Sequence, residues 1–339
     1  MVIGTRNIVA RDWRELGYLI ARTASGPFIL PEGWKPPGRG FVEECRDIVL
    51  EFFPEALEKL EGLIEGSGLP RDYFEAWFLS YIPGGSYPGC TAVLLSPEVT
   101  EYGEITVGRN YHGPYFALPW REVRRIELGC EAVSLLGCTH NWVGISDCLN
   151  SKGLLCLVSA LHYPSSRSLS PGIQWHILVD KAMYRCERCD EAVDLLRSAR
   201  HLRPLSYLLA DSRGSAAIVE ASPEGSWVRR PKDGYLIATN HIVSKGEQIS
   251  PKGSIRRYIV AEAKVKEWLR KGPGGEELIR SILSDHESGT CMGPHDLSLS
   301  DLSSWGTLWA LIWRPSLEGF LLAPGHPCRM DFLAFHIRR

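Results

Sequence analysis

The sequence predicts an α+β protein in which two antiparallel sheets pack together with helices outside them. Three observations lead there. Residues 1–89 are dominated by helical periodicity. The texture changes at Cys90 to short apolar runs divided by turns. Beyond residue 163, helices and strands return in blocks, without any internal repeat.

Residues 11–24 read as a helix, followed by a Pro/Gly-rich loop from Pro27 to Gly40. Over 41–66 the apolar residues Ile48, Phe52, Leu57, Leu60 and Leu63 recur at three- to five-residue intervals, the spacing of one helical face. Pro54 divides this stretch into two helices, because proline lacks the N–H and crowds the preceding turn, and Gly66-Ser67-Gly68 ends the second. A short segment, Tyr73 to Tyr81, leads into the turn run Pro83 to Pro88. Residues 90–163 read as consecutive strands with short turns. Helices are expected at 173–184 and 189–199, strands at 206–210, 216–220, 226–229 and 235–239, and helices again at 254–270 and 275–284. Strands close the chain: Leu308 to Trp313, Gly319 to Leu322 and Phe332 to His336.

The chain has 339 residues, 44% of them hydrophobic and 23% charged, which is the balance of an ordinary soluble globular protein. The formal net charge of -2 and the lack of a Lys/Arg-rich arm argue against a nucleic-acid partner. The longest apolar runs, such as Gly153 to Val158, have strand length and fall short of the roughly 20 residues that span a bilayer. The start, Met1-Val2-Ile3-Gly4-Thr5-Arg6, lacks the basic-then-apolar form of a signal peptide, so a cytoplasmic protein is expected. Ten cysteines are many for that compartment. They read as buried small hydrophobes, as disulfides, or as metal ligands. Cys186 and Cys189 form one CxxC and Cys138-Thr139-His140 a second ligand pair, but no second CxxC lies at finger-like spacing. No metal or cofactor is expected.

The chemistry concentrates at Gly89-Cys90-Thr91, which follows the turn run and opens the apolar stretch Ala92 to Leu95. A second strand, Ile105-Thr106-Val107, then runs into Gly108-Arg109-Asn110. A thiol therefore sits where a loop becomes a strand, and a guanidinium returns on the next strand. Cysteine becomes a reagent when a base activates it or a cation stabilises its thiolate. Cleavage after Gly89 would supply an unusual base, the α-amine of Cys90 itself. Its pKa of about 7.7–8.0 leaves much of it neutral near physiological pH.

Several segments resemble one family, the cysteine-type N-terminal nucleophile (Ntn) hydrolases, and within it the acyl-CoA:6-aminopenicillanate acyltransferase group. Choloylglycine hydrolases are more distant kin. Pro54 to Gly62 resembles the helical part of that family's propeptide, Gly89-Cys90-Thr91 its cleavage site and nucleophile, and Gly108-Arg109-Asn110 its second-strand motif. Gly144 to Leu154 loosely resembles its Gly-X-Asn-Glu-X-Gly-Leu turn, with Asp147-Cys148 intervening. Thr239-Asn240-His241, Ser254-Ile255-Arg256-Arg257-Tyr258 and Ala323 to Cys328 resemble its Thr-Asn-His, helix-start and closing-strand motifs.

The resemblance implies a four-layer αββα sandwich. Residues 1–89 would form a helical prosegment that stays bound after cleavage to a catalytic body, 90–339. It implies an autoprocessing amidohydrolase or acyltransferase that acts on linear amides of small acyl substrates through a Cys90 thioester. Gly89 would carry the scissile carbonyl, Asn240 would donate to the oxyanion, and Arg109 would stabilise thiolate or substrate oxygen. Thr239, Arg257 and His162 would support the site. Relatives carry Asp where this chain has His112; that carboxylate contacts the nucleophile's amine. The alternatives are an uncleaved, non-catalytic ligand-binding protein and a Cys/His endopeptidase pairing Cys90 with His112. The oligomeric state is left open.

Overall fold

The computed structural model describes residues 3–24, 34–81, 89–141, 143–162, 170–245, 252–294 and 304–338. The expected turn run Pro83 to Pro88, residues 27–33 of the loop expected from Pro27 and residue Tyr163 lie outside these.

The chain opens with β1 (Gly4–Ala10) and α1 (Trp13–Arg22). The Asp12 side chain caps α1 by accepting from the Glu15 N–H. Helices α2 (Arg39–Phe52), α3 (Glu55–Ser67) and α4 (Arg71–Ser80) follow, with Pro54 dividing α2 from α3 as expected. Next come β2 (Thr91–Leu95), β3 (Thr106–Pro114), a short 3-10 turn over Tyr115–Trp120, β4 (Glu122–Leu128), β5 (Leu135–Thr139), β6 (Asp147–Asn150) and β7 (Leu154–Ala160). Two helices, α5 (Trp175–Arg185) and α6 (Cys189–Ser198), precede β8 (Leu205–Asp211), β9 (Ala216–Ser222), β10 (Gly225–Arg229) and β11 (Tyr235–Ala238). The chain ends with α7 (Lys252–Leu269), α8 (Glu276–Leu283), β12 (Trp305–Trp313), β13 (Gly319–Ala323) and β14 (Leu333–His336).

One sheet has eight strands in the order β1-β4-β5-β6-β7-β8-β9-β10, and the other six in the order β11-β2-β3-β12-β13-β14. All pairings are antiparallel except β1 with β4, which run parallel. The segment before Cys90 is thus not wholly helical. It contributes an edge strand to the body's own sheet.

Period-two alternation sorts the strand residues into three apolar layers. Ala92 and Leu94 of β2 meet Leu155 and Leu157 of β7, Leu208 of β8 and Ile218 of β9 between the sheets. Val93 and Leu95 turn the other way, onto Val265 of α7 and Ile279 and Leu283 of α8. Leu154, Cys156 and Val158 face the opposite outer layer, with α1, α3, α4, α5 and α6. The order is helices, sheet, sheet, helices: the expected αββα arrangement.

The first helices are tied firmly to the rest. At Gly17 an added Cβ would meet the Lys59 carbonyl oxygen at 2.0 Å, and at Gly62 that of Arg14 at 1.8 Å, so the α1 and α3 backbones touch without side chains between them. Buried Lys59 crosses to α5, donating to Asp180 Oδ2 at 2.5 Å and to the Val143 carbonyl at 2.8 Å. All ten cysteines are free thiols, and eight are buried, which fits the small-hydrophobe reading for most of them.

Candidate active site

Strand register assembles the site. β2 lies between β11 and β3, with Ala92 opposite both Ala238 and Arg109, and Thr91 opposite Asn110. Cys90 and Gly89 precede β2, and Thr239 and Asn240 follow β11, so antiparallel pairing brings these two segments side by side. Gly89 has φ +82°, a backbone conformation that glycine adopts without a Cβ penalty. A Cβ there would fall 1.8 Å from Asn240 Oδ1, 2.1 Å from its Cγ and 2.5 Å from its Nδ2. The Asn240 amide therefore occupies the space that any side chain at position 89 would need.

That amide is held on both atoms. Its Nδ2 donates to the Ala160 carbonyl at 2.7 Å, and its Oδ1 accepts from Arg257 at 2.7 Å. An amide nitrogen carries two N–H groups, so one remains after the Ala160 bond. The backbone around it is also locked. The Asn240 N–H donates to Ser254 Oγ at 2.8 Å, and the Ser254, Thr239 and His241 side chains meet at 2.9–3.0 Å. The Thr239-Asn240-His241 motif is thus clamped to the start of α7. His162 reaches the site through its backbone, donating its N–H to the Asn240 carbonyl at 2.9 Å.

Alternation on β3 sends Arg109 and Tyr111 into the layer between the sheets, and Asn110 and His112 toward α8. Arg109 is fully buried. It donates to Ser159 Oγ at 2.5 Å and to the Val158 carbonyl at 2.6 Å, and its Nε lies 3.4 Å from Asp147 Oδ1. Burial alone would lower the Arg109 pKa, but Asp147 and the Cys90 thiol reverse that and leave it raised. Asp147 accepts from Trp309 Nε1 at 2.7 Å, and Trp309 stacks on Tyr111 with ring centroids 4.0 Å apart. Burial raises the Asp147 pKa, against the pull of Arg109. Arg257 is lowered to about 10 by burial, with Cys90 acting in the opposite sense, so it remains a cation at neutral pH. The buried Cys90 thiol thus shares its surroundings with two guanidinium groups.

His112 is buried on the α8 side of β3. Its Nε2 donates to the Thr290 carbonyl at 3.0 Å, the same oxygen that accepts from Asn110 Nδ2 at 2.6 Å. Burial, with Arg257 acting in the same sense, pushes the imidazole down to about 3 against the backbones of Thr290 and Gly89. His112 is therefore neutral across the physiological range and lies beside the Gly89 peptide.

The fold brings Gly89, Cys90, Arg109, His112, Thr239, Asn240, Arg257 and the His162 backbone together. Sequence reasoning did not single out Ser159, Asp147, Trp309 or Thr290 as parts of the site. Ser159, Asp147 and Trp309 come from three separate strands and act only by holding Arg109 or its partners, so no local motif marks them. Asn150 stays outside. Its side chain bridges its own turn to the end of α5, donating to the Met183 and Cys186 carbonyls. Cys186 and Cys189 flank the turn between α5 and α6 in the helix-side core, and Cys138 lies between the sheets. Among the described residues, neither ligand pair suggested by the sequence forms a cluster of three metal-ligating side chains.

The sequence profile of the acyl-coenzyme A:6-aminopenicillanic acid acyl-transferase family matches residues 116–319. The chain belongs to that family. The matched stretch carries Asp147, Asn240 and Arg257 and begins after Cys90 and Arg109. No curated protein matches significantly. Among solved structures, a variant of conjugated bile acid hydrolase from Clostridium perfringens is similar at 13% identity, with 72% of this chain and 92% of that chain covered and a TM-score of 0.50. That likeness supports the shared αββα fold. The Caenorhabditis elegans N-acylethanolamine-hydrolyzing acid amidase ortholog is similar at 15% identity, over 73% of this chain and 100% of that chain, with a TM-score of 0.48. Penicillin V acylase from Agrobacterium tumefaciens is similar at 14% identity, over 69% and 83%, with a TM-score of 0.40. Among the described residues, no helix is long and apolar enough to cross a membrane.

Proposed function

We propose that this protein is a self-processing amidase or acyltransferase that uses Cys90 as its nucleophile on linear amides of small acyl groups. The observation that carries this reading is the seating of the Gly89-Cys90 junction against Asn240, with Arg109 and Arg257 around the thiol. Membership of an acyl-transfer family supports it.

In maturation, the Cys90 thiol attacks the Gly89 carbonyl carbon. The C–N bond breaks, the acyl group passes to sulfur, and the Cys90 nitrogen leaves as a free amine. Water then hydrolyses the thioester and frees the Gly89 carboxylate. In turnover the Cys90 amine accepts the thiol proton, and the thiolate attacks the substrate carbonyl. The second Asn240 N–H stabilises the oxyanion, and the leaving amine takes up the proton. Water or an acceptor amine resolves the acyl-enzyme. The space that Gly89 vacates beside Asn240 becomes the acyl site.

His112 favours this mechanism over a Cys/His endopeptidase. An imidazole pushed down to about 3 by burial and Arg257 does not take a proton from a thiol near neutral pH. It also does not hold the Cys90 ammonium as a carboxylate would, which keeps an uncleaved ligand-binding role as the second reading.

The deciding experiment incubates purified protein with N-acyl amino acids and penicillin-like amides, followed by rapid acid quench and intact mass measurement. A mass gain equal to the acyl group on the 90–339 fragment, absent in Cys90→Ala, supports the reading. Binding of the same amides without any adduct or turnover favours the ligand-binding role.

A further inference from the structure

The turn after α8 and the turn after β13 converge below the active site, at a place with no part in the chemistry above. The ligand atoms of His286, Cys291 and Cys328 all lie within 4.8 Å of one another. Cys291 Sγ lies 3.4 Å from Cys328 Sγ and 3.4 Å from His326 Nδ1. The His286 and His326 ring centroids are 5.9 Å apart. Two thiols and two imidazoles, drawn from segments about forty residues apart, face one small volume.

Distances and chemistry favour a metal over a covalent link. A disulfide needs about 2.05 Å between sulfurs. Zinc with bonds of about 2.3 Å to sulfur and 2.0–2.1 Å to nitrogen places tetrahedral neighbours roughly 3.5–3.8 Å apart, against 3.4 Å between the two sulfurs and at most 4.8 Å between any two ligand atoms here. Cys291 is buried. His286 and Cys328 are exposed, which leaves the cluster a path for an incoming ion.

We propose that His286, Cys291 and Cys328 bind a zinc-like divalent cation, with a fourth position open to water. Binding forms two metal–sulfur bonds and releases the two thiol protons. His326 stands behind Cys291 as a positioning residue, with Nε2 3.1 Å from the Tyr115 hydroxyl. In the tautomer protonated at Nδ1 it donates to the Cys291 sulfur, which orients the ligand thiolate. The cation would also anchor the active-site floor. Cys291 follows Thr290, whose carbonyl accepts from Asn110 and His112, and its own N–H donates to the Asp285 carbonyl at 2.8 Å.

The test uses the full-length protein, kept reduced and stripped with a chelator, then titrated with Co²⁺ and with Zn²⁺ in competition with a chromophoric chelator. One equivalent of cobalt should bind, with a thiolate charge-transfer band and the strong visible bands of tetrahedral coordination, and zinc should displace it. Cys328→Ser, at an exposed position, should lower the charge-transfer intensity and lose at least tenfold in zinc affinity while keeping its far-UV circular dichroism. Cys130→Ser, which removes an exposed thiol elsewhere, should bind as wild type does. His326→Ala should weaken zinc about 10–100-fold. No tight cobalt binding by fully reduced protein, or unchanged binding in Cys328→Ser, overturns the proposal. So does a Cys291–Cys328 disulfide mapped in protein produced with ample zinc.

Discussion

Gly89 and Asn240 are packed so closely that the Asn240 amide fills the position a Cβ at residue 89 would take, with 1.8 Å to Oδ1. Two constraints coincide at Gly89: the lack of room and a φ of +82°. A methyl group there must either push Asn240 away from Ala160 and Arg257 or move the peptide off the thiol. Gly89→Ala should therefore stop self-cleavage while leaving the body folded. Denaturing mass spectrometry of wild type should show two fragments, and both Gly89→Ala and Cys90→Ala should show only the full-length chain. A wild-type sample that stays intact after long incubation would sink this prediction.

The Asn240 side-chain amide packs against the junction, and one oxyanion donor typically contributes about 10²–10³-fold in turnover. Asn240→Ala should lower kcat by about that factor on a working amide. Arg257 would lose its 2.7 Å bond to Asn240 Oδ1, so a modest fall in stability should accompany the change. Cys90→Ser should lose most turnover, because an alcohol is the poorer nucleophile near neutral pH. Asn240→Ala with wild-type kinetics would mean that another group faces the oxyanion.

His112 stays neutral, so the ionisation controlling activity near neutral pH should belong to the Cys90 amine. The amine acts as a base only when unprotonated, so the rate should rise with pH through a single step near 7.7–8.0. His112→Asp places a carboxylate near the amine and should move the step upward by about one unit, since an opposite charge favours ammonium. An ionisation near 6.5 that disappears in His112→Asn would instead make the imidazole the base.

Lys59 and Asp180 form a buried pair between the segment before Cys90 and the body. Removing one partner of such a pair leaves a buried charge alone and costs about 3–5 kcal/mol. Lys59→Met should lower the denaturant midpoint accordingly, and Asp180→Asn added to it should recover part of the loss. Together with β1, this contact should also keep residues 1–89 attached after cleavage. Native mass spectrometry should therefore show the two fragments bound, and a free 90–339 species as the main peak would contradict it.

Histidines whose pKa the fold depresses, among them His112, His140, His176 and His201, should make the fold acid-labile. Burial pushes His112 and His176 down to about 3 and His140 to about 4. Above their unfolded value of about 6.5 they are neutral in both states and contribute nothing to the pH dependence. Below it the unfolded chain takes up protons that the folded chain refuses, so stability falls as pH drops from about 6.5 toward 4. Each fully displaced histidine contributes a slope of about 1.4 kcal/mol per pH unit. His176 packs edge-on against Phe78 and contacts its carbonyl at 3.1 Å. His176→Gln should start less stable at pH 7 but lose about 2 kcal/mol less than wild type on going to pH 5. Equal losses in denaturant melts would refute the assignment.

The sequence by itself determined the layers and much of the site. Periodicity placed α2 and α3 on either side of Pro54, and alternation in β2 and β7 is enough to line both faces of each sheet. Gly89, Cys90, Arg109, Asn240 and Arg257 were legible because each sits in a short motif whose residue types carry their own chemistry. Two elements were not. β1 (Gly4–Ala10) is a polar edge strand whose partner, β4, lies more than a hundred residues away, so no local pattern announces it. α4 (Arg71–Ser80) is aromatic and mostly buried, so it lacks the polar face that betrays a surface helix. Only the tertiary structure decided which side of β3 faces the thiol. Register and pleat put Arg109 with Cys90 and turned His112 toward Thr290 and the Gly89 peptide. Only the tertiary structure gathered His286, Cys291, His326 and Cys328 as well, because spacing along the chain carries no information about two turns that meet by packing.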